Sequence, residues 1–267
     1  MIAAVLLLAA APLAAQTPVE VGYGPNAQQT ARLFLPAKAK RAPLLVYLHG
    51  GGWNAGAQSS GSSGQQAAHW TGLGYAYATI GYRLMPDATV EGQLGDVAQA
   101  IARLRRQKGV DAKRLVLIGH SSGATMAAQL GTDPAWLTKA DVPFGTVKAV
   151  VLLDPSVLDV PALLAQRDNP GVEKFFRRTF GDDVAYQTKL SPVAQAGGPD
   201  APHWLMVTDQ HNDFSNAQSA ALVAALKGKD AAIVPVADTN HMKLNREIGA
   251  AGDAATAAID AFLARVR

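Results

Sequence analysis

The chain has 267 residues, 49% of them hydrophobic and 17% charged, enough to bury a sizeable α/β core. Its net charge of +3 comes from 24 Lys and Arg against 21 Asp and Glu, and the basic residues are scattered, which argues against a nucleic-acid surface. There is no cysteine, which excludes disulfides, a thiol nucleophile and a cysteine-linked lipid anchor.

Residues 1–15 are apolar and uncharged, rich in Leu and Ala, and end in Leu13-Ala14-Ala15. The stretch is too short for a membrane span, so no stable membrane anchor is expected. It has the look of a secretory signal peptide, with export to the periplasm or medium as the expectation. Residues 16–267 are then expected to form one α/β domain.

Val19 to Tyr23 and Thr30 to Leu35 read as two strands joined by a Gly-Pro-Asn turn, an antiparallel hairpin. Pro43 to Leu48 reads as a buried strand that runs into His49-Gly50-Gly51-Gly52-Trp53. After a Gly/Ser-rich loop, Gln65 to Leu73 predicts a helix and Tyr75 to Tyr82 a strand. Val90, Leu94, Val97, Ile101 and Leu104 share one face of a helix over Val90 to Gln107. Leu115 to Ile118 and Val147 to Leu153 are apolar strands, with a helix from Ala124 to Leu130 between them. Residues 157–200 carry short helical runs and several Pro and Gly breakers, as expected of a helical insertion lying over a site. Trp204 to Thr208 and Ala232 to Val236 predict further strands, Asn216 to Lys227 and Asp253 to Val266 further helices. Strands alternating with helices imply a mainly parallel sheet with helices on both faces. Ligands bind such sheets at the carboxyl ends of the strands. His49, Ser121, Asp154 and the pair Asp209/Asp213 each follow a predicted strand.

The chemistry concentrates in Gly119-His120-Ser121-Ser122-Gly123, set between a strand and a helix. That context is required of a nucleophile elbow, in which Ser121 sits on a strained turn above the sheet edge. The backbone N–H of Ser122 then points at a developing oxyanion from the start of a helix. Successive glycines after the Pro43 to Leu48 strand let further N–H groups converge there, and Gly51 and Gly52 are the expected donors. A serine hydroxyl needs a base to take its proton and an acid to orient that base. His241, after the last strand in Asp238-Thr239-Asn240-His241, is the expected base. Asp213, a few residues past the Trp204 to Thr208 strand, is preferred to Asp209 as the acid. Trp53 either lines a substrate pocket or packs. His120, beside the nucleophile, is the second substrate-binding candidate. Arg83 and Asp96 are expected to form an ion pair under the glycine loop. No metal-ligand cluster or nucleotide loop is visible, so no cofactor is expected.

The chain resembles the α/β-hydrolase family, and within it the carboxylesterases with a His-Gly-Gly-Gly motif, close to the feruloyl-esterase-like and hormone-sensitive-lipase-like branch. The motifs that carry the resemblance are His49 to Trp53, Tyr82-Arg83-Leu84-x-Pro86, Gly119 to Gly123, Leu190-Ser191-Pro192 and Asn240-His241. It implies a serine esterase acting on short-chain or aromatic carboxylic esters through an acyl-enzyme, with a small-molecule ester as its partner. Two alternatives stand beside it. One is an aryl formamidase or serine peptidase on the same fold. The other is an exported binding protein that has no catalysis.

Overall fold

The computed structural model describes residues 17–38, 40–60, 63–166 and 169–266, so the expected signal peptide lies outside the described residues. The described strands form one sheet. β1 (Val19–Gly22) pairs antiparallel with β2 (Thr30–Phe34) as the expected hairpin. Beyond them lie β3 (Ala42–Leu48), β4 (Ala76–Ile80), β5 (Val110–His120), β6 (Val147–Leu153), β7 (His203–Asp209) and β8 (Asp230–Val236). The order across the sheet is β1-β2-β4-β3-β5-β6-β7-β8. β2 meets β4 antiparallel, and every pairing from β4 to β8 is parallel.

Parallel neighbours need crossovers, and helices supply them. α1 (Ser63–Gly72) links β3 to β4, and α2 (Val90–Leu104) links β4 to β5. α3 (Ser122–Thr132) and the short α4 (Pro134–Thr138) stand between β5 and β6. Between β6 and β7 come α5 (Val160–Ala165), α6 (Pro170–Phe180), α7 (Val184–Lys189) and α8 (Pro192–Gln195). α9 (Asp213–Ala225) links β7 to β8, followed by α10 (His241–Glu247) and α11 (Ala254–Arg265).

The period-two alternation of a strand splits the core into two layers. On β3, Leu44, Val46 and Leu48 join one layer with Leu94, Val97 and Ile101 of α2 and Met126 and Leu130 of α3. Leu45 and Tyr47 join the other, with Trp70 of α1 and Ile259 and Phe262 of α11. A strand covered on both faces has no polar alternation, which is why β3, and β6 from Ala149 on, read as continuous apolar runs.

Two departures from expectation have simple causes. β5 begins at Val110, not Leu115, because its first residues pair with Ala42 and Pro43 before the register shifts at Leu44. The polar Asp111 and Arg114 hide that pairing from a hydrophobicity pattern, yet they bond each other at 2.9 Å. α4, α7, α8 and α10 run only four to seven residues, too short to display a helical period.

Candidate active site

The elbow stands where β5 meets α3. Ser121 has φ 55° and ψ −122°, a strained backbone for a residue with a side chain. Its N–H donates to Leu153 O at 3.0 Å and its carbonyl accepts Ser156 N–H at 3.3 Å, so the end of β6 clamps the turn. Gly123 lies against the end of β3: a Cβ there would stand 2.3 Å from Leu48 O. That contact fixes the elbow beside the glycine loop, and only glycine permits it.

The glycine loop is braced from beneath. Gly51 has φ +125°, and a Cβ there would meet Ala55 O at 2.1 Å. The His49 ring lies stacked on Tyr82, with centroids 4.2 Å apart and planes 5° apart. The Tyr82 hydroxyl donates to His49 O at 2.7 Å. The neighbouring Arg83 donates through Nε and Nη2 to buried Asp96 at 2.8 and 2.7 Å, the ion pair expected from the sequence. Tyr82-Arg83 and His49-Gly50-Gly51 therefore form one bracket under the site.

His241 lines the cleft, with a buried aspartate behind it. His241 opens α10, with Asn240 as its cap. His241 Nδ1 lies 2.6 Å from Asp154 Oδ2. Asp154 follows β6 at φ 45°, and its side chain is fully buried. Asn212 Nδ2 donates to the same carboxylate oxygen at 2.7 Å, while Asn212 Oδ1 accepts Ser215 N–H and caps α9. Burial pushes the Asp154 carboxyl up, but the hydrogen bonds from His241 and Asn212 and the charge of His241 outweigh it and hold it below the ordinary carboxylate range. An ionised Asp154 fixes the proton on Nδ1 and leaves Nε2 as the free base.

Ser121, His120, His241 and the glycines 50–52 line one open cleft of about 550 Å3, whose outer wall is Met242, Asn245 and Arg246 of α10. His120 is buried, and its ring centroid lies 4.5 Å from that of His241. Burial, followed by the His241 charge, lowers its pKa to about 4, so it is neutral near pH 7. His120 Nε2–H therefore donates to His241 O, at 2.9 Å.

Residues 32–226, well over half of the chain, match the sequence model of the BD-FAE family. The chain belongs to that family. Among similar curated proteins, a kynurenine formamidase of Salmo salar is 31% identical over 121 residues, covering 45% of this chain and 40% of that protein. The esterase LipQ of Mycobacterium tuberculosis is 26% identical over 238 residues, covering 84% of this chain and 56% of that protein. The chain thus spans about half the length of these relatives. Among solved structures, esterase 2 of Thermogutta terrifontis phosphonylated by sarin superimposes with a TM-score of 0.75 at 20% identity, covering 97% of this chain and 98% of that one. The fold is that of the α/β-hydrolases, as the resemblance implied.

Against this family background, three sequence expectations need correction. Asp213 does not reach the histidine. It is the first residue of α9 and is exposed to solvent, because the helix starts within four residues of the end of β7. Asp209 is turned into its own loop and accepts His211 N–H at 3.0 Å. Asp154 takes the place because β6 is the immediate neighbour of β5, so its end lies beside the elbow. Trp53 does not line the cleft. It is 1% exposed and packs edge-on against Phe176 and Phe180 of α6, which the helical insertion lays over it. Gly52 N–H is already used: it donates to Ser122 Oγ at 3.0 Å. Gly51 N–H and Ser122 N–H have no acceptor among the described residues. Sequence reasoning missed two residues of this cluster: Asp154 as the partner of His241, and Asn212, which reads only as a loop residue before a helix.

Proposed function

We propose that this protein is a serine esterase whose acting residues are Ser121, His241 and Asp154. The observation that carries the reading is the 2.6 Å contact between His241 Nδ1 and buried Asp154, on a histidine that shares one cleft with a serine in elbow conformation. Ser121 Oγ attacks the ester carbonyl carbon while His241 Nε2 takes its proton. The tetrahedral oxyanion receives hydrogen bonds from Gly51 N–H and Ser122 N–H. On collapse the C–O bond to the alcohol breaks, and His241 returns its proton to the leaving oxygen. Water, deprotonated by His241, then attacks the acyl-Ser121 carbonyl, and the acid leaves as the serine regains its proton.

Short-chain and aromatic carboxylic esters are the proposed substrates, by the resemblance of the His49 to Trp53 and Gly119 to Gly123 motifs to those of feruloyl-esterase-like carboxylesterases. A second reading, aryl formamidase, is favoured by the kynurenine formamidases among the relatives. The same triad serves it, with an amine as leaving group. The apolar residues 1–15 support export as part of the proposal.

The test is turnover of p-nitrophenyl acetate, butyrate and octanoate, methyl ferulate and formanilide by the full chain, beside Ser121→Ala. Ester hydrolysis abolished in Ser121→Ala is expected. Formanilide as the preferred substrate would select the second reading. Failure of a fluorophosphonate to label Ser121, with no turnover of any substrate, would overturn both.

A further inference from the structure

α10 does more than present the base. It has seven residues, and Met242, Asn245 and Arg246 are spaced i, i+3, i+4 from its second residue. Residues so spaced share one helix face, and all three line the cleft. The face is graded. His241 stands at the start of the helix. Met242, 60% exposed, is an apolar shelf beside it. Asn245 is held from behind by the Tyr47 hydroxyl. Arg246 ends the row, exposed and in the last turn.

Among the described residues, Arg246 is the one cleft-lining side chain with a permanent charge. No carboxylate pairs with it among the ion pairs of the described residues, and its neighbour Glu247 is 3.8 Å from Lys243 instead. Asp154, the acid nearest the base, is fully buried behind His241 and already bonded, so it does not neutralise the cleft. A basic residue in the last helical turn complements the helix dipole, but that role alone is indifferent to which side of the helix it occupies. Here the residue is on the side of the helix that lines the cleft.

The direction of the reaction decides which half of the substrate meets it. His241 must hand a proton to the leaving oxygen, so the leaving group lies toward the base and the helix the base begins. Arg246 is five residues beyond His241, about 7.5 Å along the helix axis at 1.5 Å per residue. That is roughly the distance from a phenolic oxygen to a carboxylate para to it.

Resting on the esterase reading, we propose that Arg246 selects esters whose leaving group is an apolar or aromatic alcohol bearing a carboxylate, with Met242 against the frame and the guanidinium on the anion. A planar fork suits a carboxylate, and a thioether suits an aromatic face.

The experiment compares 4-carboxyphenyl acetate with 4-(methoxycarbonyl)phenyl acetate, which share the acyl group and the ring but differ in charge. For each enzyme the readout is the ratio of kcat/KM on the first to that on the second. Comparing ratios between enzymes cancels the unequal leaving-group reactivity of the two phenols. An exposed ion pair predicts a ratio about fivefold lower in Arg246→Met than in the wild type, carried by KM. Arg246→Lys should retain part of it, and raising the salt to about 1 M should erode the wild-type ratio because charges at an open cleft are screened. A ratio unmoved by Arg246→Met overturns the proposal, as does a ratio that ignores salt. If the wild type turns over neither ester, the esterase reading fails separately. Calorimetric binding of 4-hydroxybenzoate to the full chain then decides the anion site: weaker binding in Arg246→Met supports it, and equal binding overturns it.

Discussion

The ends of β6 and β7 are near twins in sequence and differ in what they do. Each is an apolar parallel strand with an aspartate at its end, Asp154 after β6 and Asp209 as the last residue of β7. Each aspartate is buried. Yet Asp154 meets the base at 2.6 Å, while Asp209 bonds the backbone of its own loop. The difference is position in the sheet. β6 pairs with the elbow strand, and β7 lies one strand further out. The β7 end is not idle, however: Asn212, three residues on, reaches across to Asp154 at 2.7 Å. One strand end supplies the carboxylate and the other aims it.

The largest expected effect breaks the comparison outright. Asp154→Asn leaves no anion to hold the Nδ1 proton, and kcat should fall by about a thousandfold or more, as when a triad carboxylate is made an amide. Asp213→Asn should stay within about twofold, because that side chain faces solvent. The measurement is kcat on p-nitrophenyl acetate for both variants. A collapse in Asp213→Asn with activity kept in Asp154→Asn would reverse the assignment of the acid.

That assignment marks the limit of what the sequence makes legible. The elbow, the glycine loop and His241 are local patterns, a few residues at fixed spacing beside a strand, and the structure brings them to one cleft. For the acid the sequence reading weighs Asp213 against Asp209, and which aspartate meets His241 depends on where the His241 loop lands. The order of strands across the sheet controls that, and it is non-local. A signal existed: Asp154 directly follows the apolar run Ala149 to Leu153. Trp53 was open between lining a pocket and packing for a related reason, since its burial depends on α6, which comes more than a hundred residues later. α10 was invisible because seven residues show less than two turns of period.

Asn212→Ala sharpens the comparison by removing only the aiming contact. The carboxylate keeps His241 but loses one charge-assisted hydrogen bond, which predicts about a tenfold loss in kcat. The same change removes the cap of α9 and should cost about 1 kcal/mol of folding stability. Asn212→Ser separates the two effects. It keeps a capping oxygen but has no amide N–H to donate to Asp154, so stability should recover while kcat does not. Thermal melts and kcat, measured on both variants, read the two separately.

A smaller effect is expected on the elbow side. His120→Phe keeps a ring beside His241 but deletes the Nε2–H bond to the His241 carbonyl. With the acid contact intact, kcat should fall only about threefold to tenfold, as for one neutral hydrogen bond. KM for p-nitrophenyl acetate should hardly move if His120 acts through the base. A rise in KM at constant kcat would instead make it a substrate contact.

The smallest effect lies in stability against pH, and its sign follows from Asp154. The folded carboxyl titrates below its ordinary value of 3.8 because His241 and Asn212 favour the anion more than burial opposes it. A depressed folded pKa contributes stability that is fully present above the unfolded pKa and is lost as pH falls through the folded one. The loss from this group therefore falls below about pH 4, not in the neutral range. In urea titrations from pH 6 to pH 3, the wild type should lose stability more steeply at the acid end than Asp154→Asn, which has no proton to take up there. Asp213→Asn, taken from the exposed end of the β7 loop, should follow the wild-type curve. Parallel curves for the wild type and Asp154→Asn would mean that the His241 and Asn212 bonds do not favour the carboxylate in solution. The steep acid limb would then have to come from other carboxylates, such as Asp111 beneath Arg41 and Arg114.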